Sequence, residues 1–212
     1  MFFAFFSAIL KTMKHDPYLK NLNYAIFDIE TTGLSPVGNM VISASFYDPK
    51  TEQLLQLFSE DPAGEEQVLR KTAELLSARD AVITYNGRSF DLPFVKARAK
   101  KYGIDASMPL LWNADLYLWL KKYWPMAELV PSLRQKAVEE ILGVEDHRTD
   151  EIGGAECISL YSRYLPLGRP QDTETILLHN GDDVRQLAKI CDKINFLPWH
   201  DIAFNDAFFA RY

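Results

Sequence analysis

Only two cysteines occur in 212 residues, too few for a disulfide framework. Cys157 and Cys191 both sit in apolar stretches with helical spacing and read as reduced core thiols of a cytoplasmic protein. Glycine (10) and proline (11) are near average usage, which excludes a collagen-like fibre and any long low-complexity linker. No uncharged apolar run reaches the about 20 residues needed to cross a bilayer, so no membrane partner is expected. Positive charge is scarce too: 23 Lys and Arg stand against 29 Asp and Glu, a net of −6. That balance excludes a tight duplex binder, because phosphate recognition normally uses a basic surface.

What is present fits a soluble globular chain, with 48% hydrophobic and 25% charged residues. The length suits one domain, and no internal repeat is visible. Met1 to Leu10 is apolar, but it lacks a basic segment before it and a small-residue cleavage site after it, so a docked N-terminal helix is expected rather than a targeting signal. Residues 1–23 are therefore an N-terminal apolar segment, 24–195 the main domain, and 196–212 an aromatic C-terminal tail. Trp199, Phe204, Phe208 and Phe209 of that tail are expected to pack on Phe2, Phe3, Phe5 and Phe6, on a partner protein or on a second copy, since exposed apolar patches of this size are unusual.

Tyr24 to Ile29, Met40 to Tyr47 and Gln53 to Phe58 read as strands on short connections, with Asp48-Pro49-Lys50 as a turn. Glu65 to Ser77 switches to helical spacing, with Val68, Leu69, Ala73 and Leu76 on one face. A strand over Ala81 to Tyr85, a helix over Leu92 to Tyr102 and a strand from Leu110 toward Asp115 follow. The rest reads as helices over Leu116–Tyr123, Ser132–Ile141, Ala155–Tyr164, Asp172–His179 and Asp182–Asn195, with Gly143 to Gly154 as a polar connection. This order predicts an α/β fold: a mixed five-stranded sheet, three antiparallel strands then two parallel, with helices on both faces.

The sharpest chemical signal is Asp28-Ile29-Glu30-Thr31-Thr32-Gly33-Leu34, closing the first strand. Side chains two apart on a strand share a face, so Asp28 and Glu30 converge. Two like charges held together favour protonation, and a divalent cation relieves the conflict; oxygen-only donors suit Mg²⁺ or Mn²⁺. A second segment, Tyr85-Asn86-Gly87-Arg88-Ser89-Phe90-Asp91, puts Asp91 at a helix start after an Asn-Gly turn. A third, His179-Asn180-Gly181-Asp182-Asp183-Val184, opens the last helix. Either acid of that pair could cap it while the other faces inward. The spacing of Val184, Leu187, Ile190 and Ile194 favours Asp183 as the inward one.

Together these residues resemble the DEDD 3′–5′ exonucleases of the ribonuclease H-like superfamily, whose motifs are Asp-x-Glu, Asn-x-x-x-Asp and a final Asp preceded by Tyr or His. The second motif is one residue longer here when counted from Asn86. The YprB-like branch is nearest, with Asp150 to Gly154 and Tyr161 to Leu165 also similar, and His179 standing where that branch has Tyr. The histidine class usually places its His five residues before the last Asp, whereas His179 is four before Asp183, a spacing that shares one helical face.

The resemblance implies a ribonuclease H-like fold and a two-metal phosphodiester hydrolase, with two Mg²⁺ or Mn²⁺ ions on Asp28, Glu30, Asp91 and Asp183. It implies His179 as the group that accepts a proton from water. Thr31, Thr32, Leu34 and Asn86 would hold the terminal nucleotide of a single-stranded or 3′-ended DNA or RNA. Set four of the acids aside as ligands, and the remaining charge is close to balanced. Lys96, Arg98, Lys100 and Lys101, then Lys121, Lys122, Arg134 and Lys136, would supply a weak basic rim. Two other readings of the same fold are a catalytically silent nucleic-acid-binding or helicase-partner module and a ribonuclease H-like endonuclease.

Overall fold

The structure, a computed structural model, describes residues 22–108, 111–144, 148, 152–194 and 209–211. Residues 1–21 of the N-terminal apolar segment, Asp150 and Glu151, and most of the aromatic tail lie outside the described residues. Strands β1 (Tyr24–Thr31), β2 (Val41–Asp48) and β3 (Gln53–Phe58) form the expected antiparallel meander. At its second corner the Asp48 carboxylate accepts the Lys50 amide at 2.9 Å, closing the turn. Helix α1 (Glu65–Ser77) leads into β4 (Ala81–Thr84), which pairs parallel with β1. Helix α2 (Asp91–Lys101) then crosses to β5 (Trp112–Asp115), parallel to β4.

The expected five strands lie in the order β3-β2-β1-β4-β5, and a short sixth, β6 (Phe209–Arg211), adds antiparallel to β5. Part of the C-terminal tail thus serves as an edge strand. Its backbone covers amide and carbonyl groups that β5 would otherwise leave open.

Four further helices complete the chain: α3 (Leu116–Tyr123), α4 (Gln135–Leu142), α5 (Gly154–Leu167) and α6 (Pro170–Ile194). Alternation along β1 divides the core between the two faces of the sheet. Ala25, Phe27 and Ile29 pack with Leu69 and Leu76 of α1 and with Leu92, Phe94 and Val95 of α2. Ile26 joins Leu116 and Leu120 of α3, Val138 of α4 and Val184, Leu187 and Ile190 of α6. Asp28 and Glu30 share the register of Ile26, so the fold turns them toward α6.

The two helices expected over Asp172–His179 and Asp182–Asn195 are one unbroken helix of 25 residues. Asn180-Gly181 looks like a breaker in sequence, yet both residues are buried in its middle. A Cβ at Gly181 would sit 3.2 Å from the side chains of Gln56 and Leu54, so the glycine lets the helix approach β3 closely. Among the described residues, no helix is long and apolar enough to cross a membrane.

Candidate active site

β1 delivers the first two acids. Asp28 lies opposite Ser45 and Glu30 opposite Ser43 on β2, and the register slips immediately after Glu30. Such an irregularity at a strand end re-aims side chains, here beside the buried middle of α6. Asp183, one turn past His179, comes from that helix. Asp28, Glu30 and Asp183 each offer a carboxylate oxygen within 4.8 Å of the other two.

Asp91, the fourth acid, is buried at the start of α2, where its Oδ1 accepts the Ile29 amide at 3.1 Å. It therefore reaches across to β1, between Asp28 and Glu30, instead of only capping its own helix. The loop before it is held by Asp115, whose carboxylate accepts the amides of Asn86 and Arg88, each at 3.0 Å. Gly87 permits the tight passage, since a Cβ there would collide with the Thr84 side chain at 2.5 Å.

The electrostatics follow from crowding. Burial, reinforced by Asp91, Asp183 and Glu30, holds Asp28 well above the usual carboxylate range; the Asn180 amide opposes that rise. Burial likewise pushes Glu30 up to about 8, against the pull of His179. Asp91 rises to about 7, again chiefly by burial, although the Ile29 amide draws it down. These carboxylates are thus poised to exchange protons for a cation near neutral pH. Hard oxygen donors with so few compensating charges fit Mg²⁺ or Mn²⁺.

His179 is buried, with Nε2 3.4 Å from Glu30 Oε1 and 3.5 Å from Asp183 Oδ2. Asp183, rather than Asp182, faces the cluster. Arg148 also enters it, 2.5 Å from Asp183 Oδ1 and 2.6 Å from Glu139 Oε1.

The other expected site residues lie around this centre. Thr31 Oγ1 donates to the Gly33 carbonyl at 2.9 Å; the Thr32 amide donates to the Met40 carbonyl, and Thr32 Oγ1 accepts the Met40 amide, each at 3.0 Å. Leu34 is 87% exposed on the adjoining turn. Asn86 has φ +65° and is exposed, while its amide is taken by Asp115. The basic rim is smaller than expected. Arg98 is buried and bound to Glu65, leaving Lys96, Lys100 and Lys101 as the solvent-facing cations of α2.

Sequence reasoning overlooked three participants. Asn180 is fully buried, donates to Asp28 Oδ2 at 2.7 Å, and accepts from Ser43 and Ser45 at 2.9 and 2.7 Å. Serines at alternate positions of an otherwise apolar strand were a usable signal of a polar partner across the sheet face. Cys157 lies in the core, as its apolar context predicts, and also touches Glu30. Arg148 gave no signal beyond its place in a polar connection.

A sheet of this topology, with acids from the end of β1, the start of α2 and the middle of α6, defines a ribonuclease H-like domain. A profile of the RNase_H superfamily matches residues 25–195, and the chain belongs to that superfamily. It is 29% identical over 191 residues to the uncharacterized protein YprB of Bacillus subtilis, covering 87% of this chain and 44% of that one. It is 26% identical over 195 residues to the PolC-type DNA polymerase III of Caldanaerobacter subterraneus subsp. tengcongensis, covering 77% of this chain and 13% of the polymerase. A DNA polymerase of Methanocaldococcus jannaschii is 32% identical over 100 residues, 42% of this chain and 6% of its own length. The family B DNA polymerase from Pyrobaculum calidifontis shares the fold with a TM-score of 0.67 at 18% identity, over 82% of this chain and 24% of that one. The chain thus spans less than half the length of each of these relatives. Family and fold together support a nuclease.

Proposed function

We propose that this chain is a metal-dependent 3′–5′ exonuclease of the DEDD type, acting on single-stranded or frayed ends of DNA or RNA. The observation that carries the proposal is the meeting of Asp28, Glu30 and Asp183 within 4.8 Å, with Asp91 hydrogen-bonded to the backbone between the first two. Two Mg²⁺ or Mn²⁺ ions held by these acids would lower the pKa of a bound water and offset charge on the scissile phosphate. His179 would accept the proton of the attacking water at Nε2, with Glu30 and Asp183 orienting the ring. Asn180 would fix the Asp28 carboxylate through its 2.7 Å hydrogen bond.

The turn after β1 is our proposed nucleotide seat. Backbone groups at Thr31 and Thr32 would line it, the exposed Leu34 would pack on a base, and Asn86 would border it. Residues 24–195 form the proposed catalytic domain, and two buried cysteines in the thiol form suit a cytoplasmic setting. All four acids are present, which argues for catalysis over a silent binding module.

The test is Asp28→Ala against the native chain on an end-labelled oligonucleotide with Mg²⁺ or Mn²⁺. The native chain should give a ladder of shortened products, and the variant should lose at least about a thousandfold in rate, equivalent to several kcal/mol of charge stabilisation. Normal laddering by Asp28→Ala would refute the assignment. Cleavage of a closed single-stranded circle would point to an endonuclease instead.

A further inference from the structure

One buried side-chain cluster overlapping the proposed metal cage has a different chemistry. Glu30 on β1, Cys157 on the first turn of α5 and His179 in mid-α6 each offer a ligand atom within 4.8 Å of the other two. All three are buried, at 7%, 0% and 3% exposure. The Cys157 thiol already hydrogen-bonds the Glu30 carboxyl, and His179 Nε2 stands 3.4 Å from Glu30 Oε1. This is an oxygen, a sulfur and a nitrogen, where the neighbouring cage is all oxygen.

We propose that Glu30, Cys157 and His179 form a zinc site that switches the nuclease centre off. Zn²⁺ takes Cys, His and carboxylate ligands tetrahedrally, and at bond lengths of about 2.0–2.3 Å the ligand atoms come to lie roughly 3.5 Å apart. The cluster therefore needs only a small contraction, with the fourth position left to water. A thiolate discriminates strongly for Zn²⁺ over Mg²⁺ or Mn²⁺. On binding, the Cys157 thiol releases its proton to solvent while neutral His179 lends the Nε2 lone pair. Both sites share Glu30, and the captured lone pair is the one proposed to accept the proton from water. Zinc here thus removes a metal ligand and the base together. The inhibitory half of the proposal rests on the exonuclease reading; the metal site itself does not.

The full-length chain, stripped of metal, is titrated with Co²⁺ as a spectroscopic stand-in for Zn²⁺. A thiolate-to-cobalt charge-transfer band should appear at one equivalent, vanish on adding Zn²⁺, and survive excess Mg²⁺. Cys157→Ser should lose the band, and Cys191→Ser, which removes the other thiol, should keep it. No band in the native chain, or an undiminished band in Cys157→Ser, overturns the site whether or not the chain cuts nucleic acid. In the Mn²⁺-supported nuclease assay, with each protein scored against its own zinc-free rate, Cys157→Ser should need roughly ten to a hundred times more Zn²⁺ for half-inhibition than the native chain. Equal zinc sensitivity of the two proteins overturns the switch.

Discussion

Buried carboxylates at two places on this scaffold meet opposite electrostatic fates. Glu65, at the start of α1, receives Arg98 through Nε at 2.8 Å and Nη2 at 2.5 Å, the Tyr102 hydroxyl at 2.7 Å and the Val41 amide at 2.9 Å. Burial alone would raise its pKa, but those donors prevail and hold it below the usual range. The Asp28, Glu30 and Asp91 group has burial without matching positive charge, and all three are raised. One site is closed by the chain's own cation and joins α1, α2 and the β2 start. At the other, Arg148 meets Asp183, while Asp28, Glu30 and Asp91 are left for a cation from solvent. A buried acid is thus a functional signal only when the protein has withheld its partner.

The sharpest way to break this comparison is to neutralise one acid of each kind. Glu30→Gln should cost roughly a thousandfold or more in turnover, with no loss of metal-free melting temperature. Glu65→Gln should do the reverse, lowering unfolding free energy in urea by about 3 kcal/mol by stranding Arg98, while turnover at saturating metal stays within about twofold. Asn180→Ala, which removes the donor to Asp28 and the acceptor for both serines, should weaken apparent Mn²⁺ affinity roughly ten- to a hundredfold, read by isothermal titration.

A pH series gives the smallest effect and sharpens the contrast further. Groups raised in the folded state, such as Glu30 at about 8 and Asp91 at about 7, stabilise the fold when protonated and lose that contribution as pH climbs through those values. The metal-free chain should therefore melt at falling temperatures from about pH 5 to about pH 8, and saturating Mg²⁺ should flatten the slope. Glu65, lowered on folding, contributes in the opposite sense: its stabilisation is present at neutral pH and lost in acid. Glu65→Gln should accordingly lower the whole curve and blunt its acid limb, while leaving the slope of the neutral limb unchanged.

Much of this was legible in the residues. The period of two along β1 predicted the convergence of Asp28 and Glu30, and Glu65–Ser77 and Gln53–Phe58 fall on the predicted bounds. The apolar stripe that follows leaned toward Asp183 over Asp182, and the resemblance to the final-Asp motif pointed the same way. Other features depend on partners remote in sequence. Arg98 looked like part of a basic rim because its partner, Glu65, lies 33 positions earlier. Asn180-Gly181 looked like a helix break because turn propensity is local, whereas its burial against β2 and β3 is tertiary. The strand role of Phe209–Arg211 is set by the open edge of β5, which no short-range pattern records.

The continuity of α6 also limits how this protein can change. His179, Asn180 and Asp183 ride on one rod, so their mutual aim is fixed by angular phase along it. A residue gained or lost between His179 and Asp183 would rotate one past the other by about 100° and part them for good. The same event ahead of position 170 would leave their alignment intact, so length variation among descendants of this chain should collect there.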